Sequence, residues 1–344
     1  PYQLWLAERA VHSALLCALR GDERFGTLAR SILHRYAGAY LSYPNRDNVL
    51  GPARLFFSTY LESIWLLQIC IATDLLESAA DHAIADDVRE RIVRPAAALI
   101  AEYDEGLSNR QVWNNVALMA AALVLGDRSS AERIVHAPAG VAAHIAHGLL
   151  SDGSWYEGEN YHLFAHRGLW YSVMMAETAG IPIPASLLER FQEGFAAPFA
   201  TALPDLTLPS RKDSQYAISL RQSRFAELCE LGLARSDDSR LTGALARLYA
   251  DDIPRGDTGR ARSSADVERN MPASGLSRAD LGWRSLLHAR AALPEPRHAQ
   301  PSAVRFHHKD VELHRAERSV VGLLGGQGDL DDAIGFDFLR LGGV

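Results

Sequence analysis

Cysteines and long apolar runs are both scarce in this sequence of 344 residues. The three cysteines lie far apart in apolar helical contexts, so there is neither a disulfide framework nor a zinc-binding spacing. No uninterrupted apolar run reaches the roughly 18 to 20 residues that a membrane span needs. The apolar stretch at residues 64–76 contains Gln68 and Asp74, which is typical of a core helix. We therefore expect no association with a membrane.

An excess of basic residues is also missing, since the formal net charge is −7 at pH 7. This charge argues against a general nucleic-acid-binding protein, which would usually be basic. An acidic ligand of any kind would be repelled on average, so a cleft for one must concentrate its own Arg and Lys. Because the chain opens at Pro1 without Met and stops at Val344 after a strand-like pattern, we expect both ends to be processed or truncated.

Helical periodicity fills most of the sequence up to about residue 250. We predict ten helices, at residues 2–19, 25–40, 55–76, 83–103, 111–125, 131–150, 161–179, 184–200, 221–233 and 239–249. Pro95 and Pro138 fall inside two of them and are expected to kink or split these helices. Successive helical hairpins of this kind indicate a mainly α fold, either a solenoid or a closed α/α toroid.

The character of the sequence changes after Asp252. Residues 254–275 are polar and rich in Gly, Pro, Ser and Arg, which predicts an exposed loop, and residues 276–293 predict one more helix. Residues 294–301 are typical of a linker, and the runs at 303–306, 311–314, 319–324 and 333–341 predict short strands. We therefore predict a helical domain at residues 1–293, followed at 294–344 by a linker and the first strands of an incomplete β domain.

Polar and aromatic residues crowd into three segments where helical hairpins turn, at residues 108–115, 152–162 and 209–216. Such loops on a rigid scaffold are the usual place for a functional site. The strongest is the run Asp-Gly-Ser-Trp-Tyr-Glu-Gly-Glu-Asn-Tyr-His at 152–162. Together with the turn at residues 43–48, these motifs resemble the heparinase II/III-like polysaccharide lyases over nearly the whole chain.

This resemblance implies an incomplete α/α toroid followed by an antiparallel β-sandwich. It implies a secreted or periplasmic lyase that cleaves a uronic-acid-containing polysaccharide by β-elimination, such as a glycosaminoglycan or a bacterial exopolysaccharide. By the same resemblance Tyr161 is the catalytic acid and base, while Asn109 and Arg110, with Trp113 nearby, bind the uronate carboxylate. Arg110 stands where many relatives have His. Residues 325–332 lack the histidines of a family metal-site pattern, so we predict no metal and no cofactor.

The residue types also suit this chemistry by themselves. Elimination removes the weakly acidic C5 proton of a uronate, and the Asn109 amide and Arg110 guanidinium can stabilise the charge that develops on the adjacent carboxylate. A phenol has an ordinary pKa of ~10. A cation such as Arg110 would favour the phenolate, which makes Tyr161 suitable as both base and acid.

Further side chains of these segments are candidates for substrate binding: Trp113, Trp155, Glu157, His162, Arg211, Lys212 and Asp213. Plainer interpretations stand beside these functions. Tyr161 could be a core aromatic, Asn109 could cap a helix that begins near Gln111, and residues 211–213 could be a solvated turn. His162 and His166 have a metal-capable spacing on one helix face, but no third ligand is evident.

Two other functions remain open at this stage. A glycoside hydrolase on the same scaffold would use paired carboxylates, and the candidates are Asp152, Glu157, Glu159 and Asp213. A non-catalytic glycan-binding toroid is the third hypothesis, because fold does not fix function. Product chemistry separates them. A lyase makes an unsaturated uronate that absorbs ultraviolet light, a hydrolase makes a saturated end, and a binding protein makes neither.

Overall fold

The computed structural model describes residues 2–46, 49–78, 82–209, 218–250, 276–293, 303–306, 311–316 and 319–324. Within these residues the chain is mainly helical, as predicted. The predicted loop at 254–275, the linker at 294–301 and the strand at 333–341 lie outside the described residues, as do Arg211, Lys212 and Asp213.

The chain divides into two compact units. Unit one consists of Pro1–Gly148 and Gly168–Pro184, and unit two consists of Leu149–Arg167 and Ala185–Val344. The boundary that we predict between residues 293 and 294 separates helices from strands within unit two. It stays a prediction about domains.

Unit one is built from helical hairpins. Its helices are α1 (Tyr2–Arg20), α2 (Glu23–Ala39), α3 (Thr59–Ser78), α4 (His82–Val88), α5 (Arg94–Ala101), α6 (Asn109–Val124), α7 (Arg128–His136), the short α8 (Val141–Ala143) and the second part of α9 (Glu159–Thr178). A 3-10 turn at Tyr40–Ser42 follows α2, and π-helical turns occur at Arg89–Val93 and His144–Gly148. Helix α3 packs against both α1 and α6, so it lies at the centre of this unit.

Of Pro95 and Pro138, only Pro138 divides its predicted helix. Pro95 lies in the first turn of α5, which follows α4 through a π-helical turn at Arg89–Val93 without a gap. Pro198 likewise lies inside the uninterrupted helix Ala185–Thr201. The region predicted as one helix at residues 131–150 is split at Pro138, because α7 ends at His136 and α8 begins at Val141. Proline lacks a backbone N–H donor and its ring crowds the preceding turn, which favours the break at Pro138.

Unit two contains the first part of α9, together with α10 (Ala185–Thr201), α11 (Ser223–Arg235), α12 (Ser239–Leu248) and α13 (Trp283–His288). Helix α11 packs against α10, α12 and α13. Three strands follow, β1 (Ala303–Phe306), β2 (Val311–Ala316) and β3 (Ser319–Leu324). They pair antiparallel in the order β1-β2-β3, and Val311 lies opposite both Phe306 and Leu324.

The prediction of one helix at residues 276–293 is wrong. Ser277 and Asp280 form a capping box around a 3-10 turn, Arg278–Asp280, and α13 begins only at Trp283. Two long-range ion pairs hold the interrupted segment on α11. Arg278 donates to the buried Glu230 carboxylate at 2.8 Å, and Arg284 donates to the buried Glu227 carboxylate at 2.7 Å. A helical period cannot reveal such partners, because they are about 50 residues away in the sequence.

Helix α3 has a window, Thr59–Glu77, that is long and apolar enough to cross a membrane by length and composition alone. Within the described residues, 61% of that window is buried inside the protein, which is usual for a core helix. Its buried acidic residue is Glu62, whose carboxylate accepts a hydrogen bond from the Tyr40 hydroxyl at 2.9 Å. The backbone N–H groups of Arg54 and Leu55 donate to the same carboxylate at 3.2 and 3.0 Å. Glu62 therefore fixes the loop that precedes its own helix.

We expect Tyr40→Phe to destabilise the fold by about 1–3 kcal/mol, because it leaves the buried Glu62 carboxylate without one of its donors. Tyr36→Phe is the matched control. Both rings contact Trp65 with centroids 5.2 Å apart, but the Tyr36 hydroxyl donates to the neutral Gln3 amide. Urea unfolding should therefore show a clearly smaller loss for Tyr36→Phe. Equal losses of unfolding free energy would show that the hydrogen bond to Glu62 stabilises the fold no more than the one to Gln3.

Candidate functional site

The first polar segment forms the N-terminus of α6. The Ser108 hydroxyl accepts a hydrogen bond from the Gln111 backbone N–H at 3.1 Å and so caps the helix. The helix therefore begins at Asn109, two residues before the predicted start, and Ser108 rather than Asn109 is the N-cap. Asn109 lies in the first helical turn with 8% of its surface exposed. It is not needed as a cap, which leaves its functional interpretation standing as a prediction.

A buried polar network holds the loop before α6. The Gln111 side-chain oxygen accepts from the Glu105 backbone N–H at 2.9 Å, and Gln111 donates to Asn115 at 3.0 Å. Asn115 in turn donates to the Ala139 carbonyl at 2.7 Å. Asn114 accepts from Ser63 of α3 at 2.8 Å. Gln111, Asn114 and Asn115 thus each have a partner, and the start of α6 is tied to its surroundings.

Arg110 is the basic residue of this segment. Its side chain is 40% exposed, and its Nε lies 2.5 Å from Oε2 of Glu105, whose side chain is only 3% exposed. Burial raises the pKa of the Glu105 carboxyl, whereas the positive charge of Arg110 and the Asn114 amide oppose that rise. Arg110 thus offers a partly open guanidinium whose Nε edge is anchored to a buried carboxylate.

Trp113 faces the inside of unit one. It is 5% exposed, and its ring centroid lies 6.1 Å from that of Tyr171 in α9. The two helices approach closely there, since a Cβ added at Gly168 would come within 2.6 Å of Val112 and 3.5 Å of Trp113. In this arrangement the indole has no open face on which a sugar could stack.

The second polar segment is a tight loop that leads into α9 in unit two. The Asp152 carboxylate accepts from the Ser154 backbone N–H at 2.9 Å and from its hydroxyl at 2.6 Å. Gly153 has a φ of 79°, and a Cβ there would come within 2.5 Å of the Glu193 carbonyl carbon. The Trp155 indole, 1% exposed, donates to the Glu157 carboxylate at 2.7 Å.

His162 closes this loop onto unit two. Its Nδ1 accepts from the Trp155 backbone N–H at 3.0 Å, which places the ring proton on Nε2, and Nε2 donates to the Gly194 carbonyl at 2.8 Å. The ring is 2% exposed, and burial lowers its pKa to about 4. One turn later, burial lowers the pKa of His166 to about 3, and its Nε2 donates to the Phe191 carbonyl at 2.9 Å. Both histidines therefore serve the packing in this arrangement.

Tyr161 is half-buried and lies in the first turn of α9, which begins at Glu159. It directly precedes the anchored His162, so the backbone that carries the phenol is fixed on one side by two hydrogen bonds. The positive end of the helix dipole is at this turn, and it stabilises a negative charge by about 0.3–1 kcal/mol.

The predicted site residues thus form two groups. Asn109, Arg110 and Trp113 belong to unit one, whereas Trp155, Glu157, Tyr161 and His162 belong to unit two. Glu105 was not among the residues predicted from the sequence, because an acidic residue in a Gly-containing turn has no periodic signal. Among the described residues, no group of three or more His, Cys, Asp or Glu side chains could hold a metal ion. No known protein family matches this sequence, and no curated protein is significantly similar to it.

We expect Gly153→Ala to destabilise unit two by about 1–3 kcal/mol more than the conformational strain of a left-handed residue alone. The added methyl group would meet the Glu193 and Gly194 backbone, which cannot move aside as a side chain can. Gly180→Ala measures the strain by itself, since Gly180 has a φ of 65° and nothing within 4 Å of a Cβ. Chemical unfolding of both variants gives the difference. Equal losses would contradict the close approach at Gly153.

The burial of His162 and His166 predicts that stability falls in mild acid. Their ordinary pKa of 6.5 is lowered to about 4 and about 3 on folding, so the unfolded chain binds more protons below pH 6.5. Stability is therefore full above pH 6.5 and is lost as the pH falls towards 4. Between pH 6.5 and 5 we expect a loss of about 1–2 kcal/mol for each histidine.

His166→Gln keeps a donor near the Phe191 carbonyl but removes one titrating group. Its stability should therefore fall less steeply with pH in urea melts at several pH values. His34→Gln is the control, because the His34 side chain is 77% exposed. His166 would have no part in the acid sensitivity if His166→Gln and His34→Gln gave the same pH profile as the unchanged protein.

Proposed function

We propose that this protein is a polysaccharide lyase that cleaves a uronic-acid-containing polysaccharide by β-elimination, as the sequence resemblance implies. The observation that carries the proposal is the first turn of α6. There a partly open Arg110 guanidinium, anchored by a buried carboxylate, follows directly on Asn109. Planar guanidinium and amide donors suit a carboxylate ligand, because they supply parallel N–H groups to its two oxygens.

Tyr161 is the proposed proton carrier. As a phenolate it takes the C5 proton of the uronate, and the electron pair left on C5 is delocalised into the carboxylate that Asn109 and Arg110 neutralise. The C4–O4 bond then breaks, a C4–C5 double bond forms, and O4 leaves with the proton that Tyr161 returns. The reaction is balanced without water, metal or oxidant, because the two products together contain all the atoms of the substrate.

The carboxylates of the rival hydrolase mechanism are less well suited in this arrangement. The Asp152 carboxylate accepts two hydrogen bonds from Ser154, and that of Glu157 accepts one from the Trp155 indole. Glu159 is 5% exposed. These contacts give Asp152 and Glu157 local roles in the loop, which supports the lyase over a hydrolase that uses them; Asp213, the fourth candidate, lies outside the described residues.

We also propose the finer fold of the lyase family, an incomplete α/α toroid at residues 1–293 and the start of an antiparallel β-sandwich at 294–344. The helical hairpins and the three antiparallel strands support this proposal. A secreted or periplasmic location belongs to the same proposal. We also keep four further residues as proposed parts of the site: Trp113, Trp155, Glu157 and His162. Their contacts favour a role in positioning the site over direct binding of the substrate.

Activity can be tested with hyaluronan, heparan sulfate, alginate and polygalacturonate as four different uronate polymers. A lyase product contains a 4,5-unsaturated uronate, so ultraviolet absorbance should rise with at least one polymer. Each new reducing end should be matched by one unsaturated uronate. A rise in reducing ends without absorbance would favour the hydrolase. Binding without any product would favour a glycan-binding protein.

Tyr161→Phe should lower turnover by ~10²- to 10⁴-fold, because a positioned acid–base group is commonly worth that factor. Substrate affinity and the thermal midpoint should change little, since only a hydroxyl is removed. Tyr156→Phe, in the same loop and also half-buried, is the matched control and should keep its turnover. Near-normal turnover in Tyr161→Phe would contradict the proposed mechanism.

Asn109→Ala should also lower turnover. Arg110→Lys should give an intermediate defect in turnover, because Lys keeps the charge but loses the planar fork.

A further inference from the structure

The contact between Arg110 and Glu105 differs from the surface ion pairs of unit one. In the Arg94–Glu90 pair, for example, the two side chains are 60% and 63% exposed, so water competes for both partners. The Glu105 side chain is only 3% exposed, whereas the Arg110 side chain is 40% exposed. One partner is thus fixed inside the protein, and the other reaches towards solvent.

Glu105 is itself held from several sides. Its backbone N–H donates to Gln111 at 2.9 Å, and its carboxylate forms an ion pair with Arg110 and lies close enough to the Asn114 amide for that group to lower its pKa. Gln111 and Asn114 are both buried residues of α6, the helix that carries Arg110. The carboxylate therefore has a defined position relative to the helix turn on which Asn109 and Arg110 lie.

A guanidinium has five N–H donors in one plane. Because the Glu105 carboxylate pairs with the Nε edge of Arg110, the other end of the guanidinium, with its two terminal nitrogens, remains a two-donor fork. Among the described residues Glu105 is the one partner of Arg110. An arginine side chain without such an anchor has several rotatable bonds, and ordering them on binding costs free energy.

We propose that Glu105 is a positioning residue that holds the Arg110 guanidinium by its Nε edge and so presents the terminal N–H groups to the carboxylate of a uronate. This inference rests on the proposed lyase function and extends it to a residue that does not touch the substrate. Glu105 acts through Arg110 alone, so its contribution to turnover disappears when the guanidinium is absent.

A double-mutant cycle on the full chain tests this dependence with the uronate polymer of the panel that is cleaved. We expect Glu105→Gln to lower kcat/KM by about 10- to 100-fold, since small misplacements of a binding group have effects of that size. Gln keeps an oxygen that can accept from Asn114, so thermal melts should show a folded protein. In an Arg110→Gln background, the same Glu105→Gln change should alter kcat/KM by less than about twofold.

Two further variants serve as controls for the double-mutant cycle. Glu90→Gln removes an exposed partner of Arg94 and should leave kcat/KM unchanged. Glu105→Asp keeps the charge but has a shorter reach, so it should be impaired and should also lose its effect when Arg110 is replaced. An equal fall with and without Arg110 would overturn the inference, because Glu105 would then act on the fold itself. The proposed function would fail separately, and this inference with it, if Arg110→Gln and Tyr161→Phe both kept normal turnover.

Discussion

The structure depends on hydrogen bonds between buried polar side chains near the start of a helix and the backbone of the loop before that helix. Glu62 of α3 accepts from the Arg54 and Leu55 backbone, and Gln111 of α6 accepts from the Glu105 backbone. In α9 the same part is played by His162, which accepts from the Trp155 backbone. A buried backbone N–H without a partner is costly, so each of these contacts selects one loop conformation. The loops that carry the candidate chemistry are therefore rigid because their helices hold them.

This constraint explains why loops rich in Gly and polar residues can form a site. Gly153 supplies the left-handed turn and the close approach to the Glu193 backbone, while His162 fixes the far end of the same loop. Tyr161 lies between that anchor and the start of α9. In unit one, Arg110 is held in a comparable way by the buried Glu105. The proposed lyase needs few mobile groups, and this agrees with a mechanism in which donors are in place before charge develops.

The helices of both units follow from the periodicity of the sequence, since apolar stripes and turn residues are local signals. The split at Pro138 follows as well, because proline acts on the turn in which it stands. The segment at residues 276–293 does not follow, since its interruption depends on Arg278 and Arg284 reaching buried carboxylates of α11. The motif around Tyr161 was visible in the sequence, but the burial of His162 was not. A histidine in a polar run gives no sign of which carbonyl it will meet.

The central claim is that the glycosidic bond breaks by elimination and not by hydrolysis. Cleavage of a uronate polymer in water enriched in heavy oxygen, followed by mass spectrometry of the fragments, tests it most directly. Elimination passes one proton through Tyr161 and moves electron pairs within the substrate. If the fragments are analysed before the new reducing end exchanges its oxygen with water, they should therefore contain no heavy oxygen and their masses should add up to that of the substrate. Incorporation of one heavy oxygen atom for each bond cleaved would contradict the account, because water would then be a reactant.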